Sequence, residues 1–143
     1  MQGIELLKSV KENIENEPYA KLLGVKVLLL EPGHSRVAME VSADYGNIFG
    51  IAHGGAVFSL MDIAFGSAAN SYGTVAVALN VSVNYIKPAN TGDVLTAEAQ
   101  EITRSKRVAS FFIKAQNQAG EIIATAQSVA YLKNEKLSFL NGR

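Results

Sequence analysis

The sequence predicts an α+β domain in which one long apolar helix packs against the face of an antiparallel sheet. Three observations carry this. From Gly54 to Asn70, residues such as Ala56, Val57, Phe58, Leu60, Met61, Ile63, Ala64 and Phe65 would point all round a helix, and a helix apolar on every side is a buried one. Val75, Val77, Leu79, Val81, Val83 and Tyr85 then alternate strictly with Ala76, Ala78, Asn80, Ser82 and Asn84, the period of a strand. Asp93 to Thr103, Val108 to Asn117 and Glu121 to Leu132 read as three more long strands, parted only by Arg104-Ser105-Lys106 and Gln118-Ala119-Gly120. Consecutive strands with short turns predict an antiparallel meander.

The remaining elements follow in chain order. Ile4, Leu7, Val10 and Ile14 sit at helical spacing and predict an amphipathic helix over residues 3–16, stopped before Pro18. Tyr19 to Leu23 adds a further turn, closed by Gly24. Val25 to Glu31 and Arg36 to Val41 are strands joined at Pro32-Gly33. Ser42 to Ala52 has no clear period and holds Gly46, Asn47 and Gly50, so it reads as a loop. In the central helix Gly54, Gly55, Ala64, Gly66, Ala68 and Ala69 would let a sheet approach closely. Pro88 to Gly92 is a turn, and residues 133–143 form a polar tail carrying Leu137, Phe139 and Leu140. The whole is read as one domain over residues 1–143, with its core over residues 22–132.

Composition excludes several classes of function. At 143 residues, 48% hydrophobic and 18% charged, the chain is long and apolar enough to fold around a core, and its low charge suggests further burial between subunits. Thirteen Lys+Arg balance thirteen Asp+Glu, without the basic surplus that a nucleic-acid binder uses to displace counterions. No cysteine is present, so there is no disulfide, thiolate nucleophile or cysteine zinc site. His34 and His53 are the two histidines and no H-E-x-x-H occurs, so no metal is expected. The N-terminal residues carry charge throughout, unlike a signal peptide, and the longest apolar stretch holds Asp62. A soluble cytoplasmic protein is expected. Nucleophile-elbow, P-loop and dinucleotide fingerprints are all missing.

Asp62 is the residue that stands out, a carboxylate in an otherwise uncharged helix. Its desolvation should raise its pKa. Two readings are open: a structural carboxylate bonded to backbone or capping a neighbour, or a general base or nucleophile facing a pocket. His53-Gly54-Gly55 lies where loop meets helix. The first N–H groups of a helix lack internal partners, and two glycines leave them unshielded, as an oxyanion hole requires; tight packing is the plainer explanation. Asn47 could orient a carbonyl or water, or simply form the turn beside Gly46, and His53 could brace the loop. Arg104, Lys106 and Arg107 form a basic turn that could grip phosphates or merely be solvated. Asp62 lies eight residues past Gly54, about 12 Å along a helix axis, too far for both to meet one carbonyl. If both act in one site, the second must come from another subunit, and an antiparallel pair of helices across a two-fold axis would bring them together.

The stretch from Asn47 to Phe65, with its N-x5-H-G-G-x6-D spacing, resembles the signature of hotdog-fold acyl-CoA thioesterases, most closely the phenylacetate-degradation (PaaI-like) branch. Tyr85-Ile86-Lys87-Pro88 followed by Gly92-Asp93 is similar to the same family's Y-x-x-P…G-D stretch. The resemblance implies a long helix wrapped by a curved antiparallel sheet, a homodimer with shared active sites, often a homotetramer, and hydrolysis of an acyl-CoA substrate with no further cofactor. By position it makes Asp62 the base or nucleophile and the Gly54 N–H the carbonyl-polarising donor, with Gly55 as support. Asn47 then places the carbonyl or water, and His53 supports the loop. Ile63 stands where relatives commonly have threonine, and no serine or threonine stands at Ala78 or Leu79. A non-catalytic acyl-CoA binding or sensing protein is the alternative on this fold; a hydratase would need a different histidine motif.

Overall fold

The computed structural model describes residues 3–140. Helix α1 (Gly3–Asn16) and the short α2 (Pro18–Leu23) lead into strands β1 (Lys26–Glu31) and β2 (His34–Glu40). A 3-10 turn (Ala43–Tyr45) and a loop precede α3 (Gly54–Ala69), which is followed by β3 (Thr74–Tyr85), β4 (Val94–Arg104), β5 (Val108–Gln116) and β6 (Ile122–Lys136). The boundaries sit within a few residues of those the pattern predicts. Pro18 opens α2, and Gly24 closes it at φ 72°, its N–H bonded to the Ala20 and Lys21 carbonyls. Gly33 takes φ 74° in the β1–β2 turn.

The six strands form one antiparallel sheet in the order β1-β2-β4-β5-β6-β3. The expected four-strand meander is therefore only partly present. β4, β5 and β6 follow one another, but β3 pairs with β6 rather than β4 and forms an edge. The segment from Ile86 to Asp93 is no tight hairpin; it crosses to the far side, where β4 joins β2 in register from His34↔Gln100 to Glu40↔Val94.

One sheet face packs on α3. Alanines dominate that face, with Ala97 and Ala99 on β4, Ala109 and Ala115 on β5, and Ala124, Ala126 and Ala130 on β6, all buried. The sheet thus supplies as much of the close approach as the helix. Leu60, Met61, Ala64, Phe65 and Ala68 fill the contact, with the Phe65 ring edge-on to Phe111 at 5.4 Å. The buried Ser35 hydroxyl donates to the Ala64 carbonyl at 2.6 Å, tying β2 to the helix. Where β2 and β4 pair, the opposite sheet face is charged: Glu98 accepts from Arg36 at 3.2 Å and pairs with His34 at 2.7 Å.

Three expectations need correction. α3 is not buried on every side, because Gly55 and Asp62 are exposed and Phe58, Gly66 and Asn70 are only partly covered, a stripe turned away from the sheet. Ile4 does not join the inward face of α1; it is 85% exposed. The C-terminal segment is not a solvated tail: β6 runs on to Lys136, the Leu137 N–H bonds the Gly73 carbonyl at 3.0 Å, and Leu140 is buried. Its three leucine and phenylalanine side chains fold it back, as apolar groups do when a surface is within reach. The tail's last residues, 141–143, lie outside the described residues.

Candidate active site

The loop before α3 is closed by its own asparagine. The Asn47 side-chain oxygen accepts from the N–H groups of Phe49 at 2.9 Å and Ile51 at 3.3 Å. The turn-forming role is thus real, and it also fixes the amide's orientation: with the oxygen engaged, the NH2 group is the end left to donate. The loop is pinned on both sides, Ala52 N–H to Ala89 at 2.8 Å and His53 N–H to Tyr45 at 2.7 Å.

His53 is the N-cap of α3. Its Nδ1 accepts from the Gly55 N–H at 2.8 Å, which assigns the proton of the neutral ring to Nε2. The Gly55 donor is therefore spent on the cap. The Gly54 N–H has no hydrogen-bond partner among the described residues. Of the two glycines, Gly54 is the one whose donor is free at the positive end of the helix. The Tyr85 hydroxyl donates to the Gly54 carbonyl at 3.1 Å, and a Cβ at position 54 would stand 3.3 Å from that ring. Asn47, Gly54, Tyr85 and Lys87 line one cavity of about 340 Å³, with Lys87 ion-paired to Glu121.

Asp62 lines a different and larger cavity of about 600 Å³, between α1, α3 and the C-terminal turn. Its carboxylate has no hydrogen-bond or ion-pair partner among the described residues. A structural carboxylate held by backbone or a capping role is thus not what the fold builds. Desolvation by the surrounding protein holds its pKa above the ordinary aspartate range, although the side chain keeps an opening to solvent. Glu17 faces the same cavity, and its pKa is raised by desolvation and then by repulsion from Asp62. Tyr19 donates to the Ser59 hydroxyl at 2.7 Å, since Ser59 itself donates to the Gly55 carbonyl at 2.7 Å. That chain braces α2 against the start of α3. Glu17, Tyr19 and Ser59 carry no signal in the sequence, because 40 residues separate Tyr19 from Ser59.

The structure therefore brings Asn47 and Gly54 together and keeps Asp62 apart, as the rise of a single helix requires. The basic turn meets neither cavity. Arg104 donates to Glu101 at 3.0 Å and stacks 3.8 Å over the Tyr72 ring, and Arg107 reaches the Tyr131 hydroxyl at 3.4 Å. Lys106 makes no ion pair among the described residues. No group of three His, Cys, Asp or Glu able to hold a metal ion occurs among the described residues, nor is any helix there long and apolar enough to cross a membrane.

Residues 49–124 match the family model of the thioesterase superfamily. The acyl-coenzyme A thioesterase PaaI of Escherichia coli is 37% identical over 110 residues, covering 77% of this chain and 79% of that one. The solved structure of the E. coli PaaI protein, from the phenylacetic acid degradation operon, superposes with a TM-score of 0.88 at 31% identity over 92% of this chain and 96% of that one. A Streptococcus mutans protein solved bound to acetyl CoA superposes at 0.76 with 28% identity, over 79% of this chain and 91% of its own. The architecture of one central helix on a six-stranded antiparallel sheet is the hotdog fold of those structures.

Proposed function

This chain belongs to the thioesterase superfamily, and we propose that it hydrolyses an aryl or medium-chain acyl-CoA to a carboxylic acid and free CoA. The observation that carries the reading is Asp62, an unpartnered carboxylate facing a cavity from an otherwise uncharged helix. Its raised pKa makes it a stronger base than an exposed aspartate while leaving it able to ionise.

In the proposed reaction the Asp62 carboxylate removes a proton from a water molecule as the water oxygen bonds to the thioester carbonyl carbon. The carbonyl oxygen becomes an oxyanion and takes hydrogen bonds from the Gly54 N–H and the Asn47 NH2 group. Such donors lower the barrier because they already point at the charge that develops. The C–S bond then breaks, and the proton held by Asp62 leaves with the thiolate of CoA.

Gly54 and Asn47 share one cavity and Asp62 lines another, so the site is completed by a second copy. The homodimer sets two α3 helices antiparallel, each Asp62 facing the partner's Gly54. A homotetramer is proposed as the full assembly and the cytoplasm as its compartment. With Arg104 committed to Glu101 and Tyr72, Lys106 and Arg107 are the members of the basic turn left to meet CoA phosphates. His53 acts by capping α3, and Gly55 by supplying the capped N–H.

The test is thiol release from a panel of short, medium, long and aromatic acyl-CoAs, with Asp62→Asn as the control. Release from the wild type that falls at least a hundredfold in the variant, with fold retained, is the expected outcome. Equal rates in both would refute the role of Asp62. Tight acyl-CoA binding with no release would make the protein a binding or sensing module.

A further inference from the structure

Gly66 has no explanation as a member of its helix. Glycine is among the worst helix formers, and α3 carries it well inside its span. Its φ is not positive, so the backbone does not demand glycine. A Cβ placed there would meet no atom of another described residue within 4 Å, so close packing does not demand it either. Other glycines in this fold do have such reasons: a Cβ at Gly54 would press on Tyr85, and one at Gly73 would stand 2.7 Å from Leu6.

What the missing side chain leaves is space in the Asp62 cavity. Gly66 lies one turn beyond Asp62 on the same face of α3. Val10, Ile14, Phe58, Leu137 and Phe139 supply apolar walls around it. The polar groups at that end are occupied by their own backbone. Ser67 donates to the Ile63 carbonyl at 2.6 Å, and Asn70 donates to the Gly66 carbonyl at 2.8 Å while accepting from the Ala76 N–H at 2.9 Å. From Asp62 to Asn70 the helix offers about 12 Å of length. At about 600 Å³ the cavity falls within the range of small-molecule sites.

We propose that this cavity receives the acyl group of the thioester, running from Asp62 over Gly66 toward the end of α3, and that Gly66 sets the longest or bulkiest acyl group admitted. This rests on the thioesterase reading and, within its aryl or medium-chain class, assigns the upper size limit to Gly66. α1 and the C-terminal turn form the outer wall, which makes these peripheral segments specificity elements.

Two variants test it with opposite signs. Gly66→Leu fills the space, and the ratio of kcat/KM for octanoyl-CoA to that for acetyl-CoA should fall at least tenfold. Phe139→Ala opens the far wall, and the preferred chain should lengthen. Gly66→Ala should keep the fold and raise the Tm, since alanine is the better helix former. Affinity for non-hydrolysable thioether analogues of increasing chain length gives a readout without turnover. Wild-type affinity that rises with length, and a rise that Gly66→Leu abolishes, supports the cavity even if no thioester is cleaved; in that case only the hydrolase reading fails. Chain-length profiles identical in wild type, Gly66→Leu and Phe139→Ala would overturn the proposal. If Gly66→Leu does not fold, an unmoved optimum in Phe139→Ala is enough to overturn it.

Discussion

Asp62 shows how one side chain can be read from sequence and yet be placed only by the fold. Its charge interrupts an apolar helix, and that much is visible in the residues. That it is unpartnered, and that Glu17 comes from another element to share its cavity, depends on tertiary packing. Repulsion between like charges is reciprocal, so Glu17 also favours the protonated form of Asp62. A raised native pKa means that ionising Asp62 costs folding free energy. The cost is absent below the ordinary carboxylate pKa and sets in as pH rises through that value. It is complete above the raised native one. Asp62→Asn should therefore melt at a higher temperature than the wild type at neutral pH, with the advantage disappearing as the pH is lowered into the acid range. Thermal melts over a pH series check this; an advantage constant with pH would mean that the carboxylate is not desolvated. His53, Gly54 and Gly55 divide their labour in a way the sequence leaves open. Which glycine keeps a free N–H follows from the Nδ1 of His53 turning onto Gly55.

At the scale of elements, strand and helix positions are legible because periodicity records which face is covered, but strand order is not. β3 alternates as cleanly as any strand, and its place at the edge beside β6 comes from the crossing segment after Tyr85. Bulges between Thr74 and Ala76 and between Ala78 and Asn80 break its alternation. Val77 and Leu79 stand 40% and 59% exposed on this long edge strand, beside Ala78 and Asn80, which are exposed too. An apolar, unpaired edge is a template for pairing with another chain. The proposed dimer would use this edge if β3 pairs with its symmetry mate. Leu79→Lys should then shift sedimentation toward the monomer and remove activity together with assembly, while leaving the monomer's circular dichroism intact. An unchanged sedimentation profile would place the interface elsewhere. The C-terminal turn makes the complementary point: Leu137, Phe139 and Leu140 are too few to set a period, yet they pack Leu140 into the core and Phe139 onto the Asp62 cavity.

At the scale of the whole molecule, the central claim is that one chain holds two halves of two sites. The separation of Asp62 from Gly54 is fixed by helix rise and was open to reading before any fold was known; the two cavities agree with it. The decisive measurement mixes two inactive variants. Asp62→Asn removes the proposed base. Gly54→Pro removes the N–H donor at the first helical position, where His53, at φ −61° and ψ 138°, already has the backbone that a following proline requires; its Cβ presses on the Tyr85 ring, so circular dichroism and sedimentation of this homodimer are checked against the wild type first. Each homodimer should be nearly inactive, with Gly54→Pro reduced about a hundredfold or more by loss of the oxyanion donor. Co-expressed with different affinity tags and purified through both, the mixed dimer pairs an intact Asp62 with an intact Gly54 at one of its two sites. The account predicts thiol release at about half the wild-type rate per dimer. Mixed dimers as inactive as either parent would contradict a site shared between subunits.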